Sequence, residues 1–213
     1  LPHDWDIFEG PNSGKGATGT GGGWFEAGKG EYRKKFRVQS LELRDKLVKL
    51  HFEGVYQKAE VFVNGQKAGQ HHYGYTPFTA DVTPYLYKDR RENEVVVKVD
   101  NSEQPNCRWY SGSGIYRHVW LETMPALHIA ENGVFITTPE VNADKARVQV
   151  EVTVLNESNN DQQGIVELEG QQKEVRLKAG ESKVLTFTYT ISNPKLWSPE
   201  SPYLYELHTK LSS

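Results

Sequence analysis

The 213-residue sequence predicts an all-β protein made of many short strands packed as sandwiches. Three observations carry that prediction. Apolar residues recur with period two, the repeat of a strand with one buried face. Asn64-Gly65 sits between two extended segments, the strongest short hairpin signal, because these residues tolerate the positive φ of a tight turn. Helical periodicity is nearly absent. Only Leu41 to Leu50 can be drawn as a weak helix, and its β-branched and basic content suits a strand at least as well.

In chain order, Val48, Leu50 and Phe52 alternate with Lys49 and His51 to give the first clear strand. Val61-Phe62-Val63 and Gln66-Lys67 flank the Asn-Gly turn, and Val95, Val97 and Val99 form a further run. Val148, Val150, Val152 and Val154 alternate with Gln149, Glu151 and Thr153. Leu185, Phe187, Tyr189 and Ile191 alternate in the same way with Thr186, Thr188 and Thr190. Composition changes near Glu122-Thr123-Met124-Pro125-Ala126. Trp, Tyr and Gly are frequent before that point; Asn/Gln/Glu-rich turns such as Asn156 to Gln163 follow it, with Trp197 the only tryptophan. The expected domains are therefore 1–124 and 125–213. The second has about the ~100 residues of an immunoglobulin-like sandwich, without the cysteine pair of antibody domains.

Charge and cysteine content narrow the function. The chain has 25 Lys and Arg against 28 Asp and Glu, a net charge of −3, and no basic patch, so nucleic acid is not an expected partner. No apolar run approaches the ~18–20 residues of a membrane-spanning helix, so no membrane partner is expected. Cys107 is the single cysteine, which excludes an internal disulfide and a Cys-based zinc site. The chain opens on Leu1-Pro2-His3-Asp4-Trp5, and its first 25 residues lack the order of a signal peptide. The expectation is a piece of a longer protein, its compartment left open.

Chemistry concentrates between two strands, in Asp100-Asn101-Ser102-Glu103-Gln104-Pro105-Asn106-Cys107-Arg108-Trp109-Tyr110-Ser111-Gly112-Ser113-Gly114-Ile115-Tyr116-Arg117. A loop of roughly 15 residues is long for a sandwich and more often functional at that length. Carboxylate and amide groups can bond hydroxyls, while Trp109 and Tyr110 offer flat apolar faces to the C–H side of a pyranose. The competing reading is that both rings plug the end of the sandwich while Arg108 and Arg117 pair with nearby acids. His71-His72 cannot easily chelate one ion, because adjacent strand residues face opposite ways. Gly10, Gly14, Lys15 and Gly16 miss the spacing of a phosphate loop. Tyr73-Gly74-Tyr75-Thr76-Pro77-Phe78 reads as a turn whose aromatic flanks pack. Glu53, Glu60, Asp81 and Glu94 are scattered over strand faces and turns.

An ordered set of segments resembles the non-catalytic N-terminal part of glycoside hydrolase family 2, the β-galactosidase, β-glucuronidase and β-mannosidase group. The set comprises Leu1 to Trp5, Gly30-Glu31-Tyr32-Arg33-Lys34-Lys35-Phe36, Phe52-Glu53-Gly54-Val55, Ala59 to Gly65, Gly74-Tyr75-Thr76-Pro77-Phe78 with Asp81-Val82-Thr83, and Arg108 to Arg117 with Val119-Trp120-Leu121. Leu196-Trp197-Ser198-Pro199-Glu200 and Pro202-Tyr203-Leu204-Tyr205 are similar to the immunoglobulin-like domain that follows in that family.

The resemblance implies a jelly-roll sugar-binding sandwich, then an immunoglobulin-like sandwich, then a (β/α)₈ barrel carrying both catalytic carboxylates beyond Ser213. It implies a retaining glycosidase as the parent, acting on β-galactosides, with the β-glucuronide and β-mannoside readings open, and no catalytic residue in this stretch. It matches Asp100 and Asn101 to the position that meets the sugar, the contact falling on one or the other; Trp109 joins them as the flat apolar face. A sodium or magnesium ion belongs to the full-length enzyme at most, and none is assigned to this chain. Arg117 and Trp120 are expected to hold the domain to its neighbours. Apolar area facing the barrel would leave this piece prone to weak homo-oligomers, and a bacterial periplasm or cytoplasm fits equally. A stand-alone carbohydrate-binding module with a spacer is the alternative, and a ligand-free structural pair of sandwiches the third reading.

Overall fold

Period-two alternation becomes strand structure in both halves of the chain. The computed structural model describes residues 1–12, 14–38, 43 and 46–213, which divide into two units, Leu1–Met124 and Pro125–Ser213. In the first unit one sheet runs in the order β1 (Gly28–Arg37), β6 (Glu92–Asn101), β3 (Lys58–Val63), β4 (Gln66–His71). The other runs β5 (Phe78–Asp81), β2 (Lys46–Phe52), β7 (Val119–Pro125). Val61 and Val63 of β3 and Val95, Val97 and Val99 of β6 join Val48, Leu50 and Phe52 of β2 in one core. Phe52 is 1% exposed and stacks on Phe78 at 4.7 Å between ring centroids. Burying a side chain of that size contributes about 1.5–3 kcal/mol.

The hairpin lies where the sequence places it. Asn64 (φ 49°) and Gly65 (φ 81°) alone separate β3 from β4. Of the Leu41–Leu50 segment, Lys46 to Leu50 is strand; 41, 42, 44 and 45 lie outside the described residues. A helix that periodicity misses, α1 (Trp5–Glu9), follows Asp4, whose Oδ1 caps it by accepting from the Asp6 amide at 3.1 Å. Five residues are too few to show a 3.6-residue repeat.

The second unit packs β12 (Ser182–Ser192), β9 (Lys145–Asn156) and β8 (Leu127–Val141) against β11 (Gln171–Leu177), β10 (Gln162–Leu168) and β13 (Thr209–Ser212). Val148, Val150, Val152 and Val154 share its core with Val166, Leu168, Val175, Leu177 and Phe187. The architecture is all-β throughout: a jelly-roll sandwich, then an immunoglobulin-like one.

Candidate functional site

Strand β6 runs in register between two neighbours, with Asp100 opposite Lys29 of β1 on one side and Lys58 of β3 on the other. Successive strand residues face opposite ways, so Asp100 and Asn101 part company. Asp100 lies on the outer face with Lys98, beside a cleft of about 530 Å³ that Lys29, Lys58, Glu60, Gln70 and His72 also line. Asn101 points inward and is 1% exposed.

Asp100 Oδ2 accepts from Lys29 Nζ at 2.8 Å, and Oδ1 accepts from the Ser102 hydroxyl at 2.6 Å and its amide at 2.9 Å. The Lys29 bond first, and Ser102 second, hold this carboxyl down to about 2. It is an anion at any physiological pH.

The segment 102–118 leaves β6 at Asn101 and returns as β7. Side chains from far along the chain hold it in place. Asn101 Nδ2 donates to Ser113 Oγ at 2.8 Å, and Ser113 Oγ donates to Asp6 Oδ2 at 2.6 Å. Asn101 Oδ1 accepts from Gln104 Nε2 at 2.9 Å and Asn106 Nδ2 at 3.0 Å. Asp6 is fully buried, and burial raises its carboxyl above the ordinary value despite the bonds from Ser113 and the Ala27 amide. Asp4 accepts from the Ser113 amide at 2.9 Å and from the Tyr110 hydroxyl. Burial first, and that carboxylate second, push the Tyr110 phenol well above its usual range.

Backbone pairing adds a second layer. The His3 amide donates to the Ile115 carbonyl at 2.8 Å and the Trp5 amide to that of Ser113 at 3.1 Å. Tyr56 and Gly114 exchange bonds of 2.9 and 2.8 Å. Two glycines make this approach possible. A Cβ on Gly112 would stand 2.2 Å from Asp4 Oδ2. One on Gly114, at φ +117°, would stand 2.1 Å from the Tyr32 hydroxyl.

Against that fixed frame, Trp109 is 58% exposed and Tyr110 43%. They do not plug the sandwich. Trp109 Nε1 donates to the Tyr75 hydroxyl at 2.9 Å, and Tyr110 packs on Phe25 at 4.9 Å. The Tyr73–Phe78 turn also departs from the packing expectation: Phe78 packs inward, but Tyr73 and Tyr75 are 57% and 47% exposed. Arg117 and Trp120 both reach Glu53, at 3.5 Å and 2.9 Å, and the indole bond is the main reason that carboxyl sits below its ordinary value.

Among the described residues no group of three or more His, Cys, Asp or Glu is placed to hold a metal ion. Asp100 has three of its roughly four acceptor sites taken within the chain, one by Lys29 and two by Ser102. Glu60 and Glu94 are likewise tied to Lys67 and Arg33. His71 stacks on Phe78 at 4.7 Å and its Nε2 meets Thr76 Oγ1 at 2.9 Å. Sequence reasoning named Asp100, Asn101 and Trp109 but not Asp6 or Ser113, whose part depends on a contact between residues 107 positions apart.

Comparison with known proteins agrees with this architecture. The profile of the sugar binding domain of glycosyl hydrolases family 2 matches residues 24–125, and the profile named glycosyl hydrolases family 2 matches residues 127–213. A β-galactosidase of Bacteroides ovatus is 42% identical over 99% of this chain, which spans 26% of that protein. A putative β-glucuronidase of Formosa agariphila is 33% identical over 99% of this chain and 20% of its own length. A crystal structure of a family 2 member from Bacteroides cellulosilyticus superposes over the whole chain with a TM-score of 0.86 at 34% identity, covering 30% of that chain. The chain thus spans about a quarter of the length of the curated relatives it matches.

Proposed function

Because the chain belongs to glycosyl hydrolases family 2, as its sugar-binding and immunoglobulin-like domains, we propose that it is the non-catalytic part of a retaining β-galactosidase. The sandwich over 1–124 supplies the segment 102–118 to the sugar site, and the one over 125–213 follows it. In the retaining mechanism one carboxyl protonates the leaving oxygen while another forms a glycosyl-enzyme intermediate ~5–5.5 Å away. Both belong to a catalytic module outside this chain. Here the residues bind and orient: Asp100, near the end of β6, accepts from sugar hydroxyls, Trp109 lies against the apolar face of the ring, and Asn101 positions the segment that presents Trp109.

The observation that carries this reading is the contrast within the segment, whose base is locked to Asp4, Asp6 and Asn101 while the Trp109 indole stays exposed. The β-galactosidase relative, at 42% identity, favours a galactoside; the β-glucuronidase relative makes a glucuronide the second reading. The test compares kcat/KM for nitrophenyl β-galactoside and β-glucuronide in the full-length protein. Asp100→Ala should lower the preferred substrate's value about 10- to 100-fold, equivalent to ~1.4–2.7 kcal/mol. Unchanged kinetics would reject the role of Asp100, and turnover by residues 1–213 alone would reject the non-catalytic assignment.

A further inference from the structure

Two exposed tyrosines that the sugar contact proposed above leaves unused gather beside Trp109 at one place on the first unit. Tyr73 and Tyr75 come from the turn after β4 and Trp109 from segment 102–118; each is about half exposed or more. Exposed apolar rings in one patch are uncommon on a surface with no binding task. These rings are also held still. The Trp109 indole N–H donates to the Tyr75 hydroxyl, joining the two loops at 2.9 Å. Tyr75 packs edge-on against Tyr56 at 5.2 Å and against Tyr73 at 5.7 Å. The Tyr116 hydroxyl donates to the Gly74 carbonyl at 2.6 Å, and a Cβ on Gly74 would lie 2.1 Å from the Tyr56 ring, so the turn rests directly on that ring. Side chains with two rotatable bonds, fixed before any ligand arrives, offer stacking area at little entropic cost.

Polar groups border the rings. The Tyr56 hydroxyl donates to Asn106 Oδ1 at 3.4 Å, and Asn106 Nδ2 is shared between Asn101 Oδ1 and Gln57 Oε1 at 3.0 and 3.5 Å. Burial lifts the Tyr56 phenol to about 12, which keeps it a hydrogen-bond donor. Flat apolar faces edged by the amides of Gln57 and Asn106 suit a pyranose, which has an apolar C–H face and a hydroxyl rim. The rings meet edge to face, without the converging faces of an ammonium cage.

We infer that Tyr73 and Tyr75 extend the Trp109 contact into a platform for a second sugar ring, so that the preferred ligand is an oligosaccharide. The inference rests on the reading that segment 102–118 meets sugar, and extends it to the chain length of the ligand. The test follows the Trp109 indole N–H by NMR in the full-length protein during titration with the S-linked, hydrolysis-resistant analogues of linear β-galactotetraose and of methyl β-galactoside. Both ligands should shift that signal, and the tetrasaccharide should do so at about 5- to 10-fold lower concentration. Tyr73→Ala, at an exposed position outside the core, should weaken tetrasaccharide affinity about 5- to 10-fold, the size of one stacking contact. Tyr75→Phe, which keeps the ring but removes the indole's acceptor, should weaken it about 2- to 3-fold. Half-saturation at equal concentrations of the two ligands, or equal loss for tetrasaccharide and single ring in Tyr73→Ala, would overturn the platform. Failure of the sugar-contact reading is seen separately, as unchanged hydrolysis of nitrophenyl β-galactoside by Asp100→Ala.

Discussion

Asn101 and Asn156 are the same device put to different ends. Each is the last residue of a long strand, each is 1% exposed, and each has its amide enclosed by hydrogen bonds. Asn156 looks after its own neighbourhood. Its Nδ2 donates to the carbonyls of Asn160 at 2.8 Å and Lys178 at 2.9 Å, and its Oδ1 accepts from Ser158. A short turn closes around it. Asn101 instead bonds Gln104, Asn106 and Ser113, and through Ser113 reaches Asp6 at the other end of the first unit. The second unit uses its buried amide to finish a sandwich. The first uses one to fix a long excursion whose rings stay in solvent, which is what a binding surface requires.

The sharpest way to break this comparison is at glycine. Gly114→Ala should cost about 3–5 kcal/mol in chemical denaturation, from strain at φ +117° plus the clash with Tyr32. Gly170, at φ +73° with open space around it, should cost only about 1 kcal/mol as alanine. Next come the asparagines. Asn101→Ala and Asn156→Ala should each lose about 1–3 kcal/mol. Only Asn101→Ala should also lower kcat/KM of the full-length protein, by about 10- to 100-fold. A matching kinetic loss in Asn156→Ala would erase the distinction between the two.

The smallest effect is acid-dependent. Asp100, held down to about 2 by Lys29 and Ser102, adds stability that is complete above the ordinary carboxyl value near ~3.9 and lost as pH falls towards about 2. Asp100→Asn should remove that loss, a change under about 1 kcal/mol because the pair is partly exposed. Asp6 has the opposite sign. Its raised value means the first unit gains stability as pH falls through the folded-state titration, so Asp6→Asn should flatten that gain in a pH series of denaturation midpoints.

Much of the fold is written in local pattern. Val95, Val97 and Val99 announce β6, and Asn64-Gly65 announces its hairpin, because each signal spans a few adjacent residues. The continuation of β6 through Asp100 to Asn101 is less legible, since two polar residues end the apolar alternation while the ladder to Gly28 goes on. For the site, length and composition mark 102–118 as the place to look. What holds it was out of reach: Asp6 and Ser113 meet only after folding, and α1 is too short to carry a period. Exposure of Tyr73, Tyr75 and Trp109 was equally hidden, because an aromatic residue in a turn reads the same whether it faces inward or outward.

The pinning of segment 102–118 is uneven, and that has a practical use. Ser111 to Tyr116 is bound by main-chain bridges and by glycines that admit no side chain, whereas Glu103 to Tyr110 is joined to the body chiefly through side chains. The earlier stretch can therefore be rewritten while the later one keeps its shape. Libraries built over Glu103 to Trp109 that spare Gln104 and Asn106 would recast ligand preference while the later stretch stays put, much as hypervariable loops do on an antibody framework.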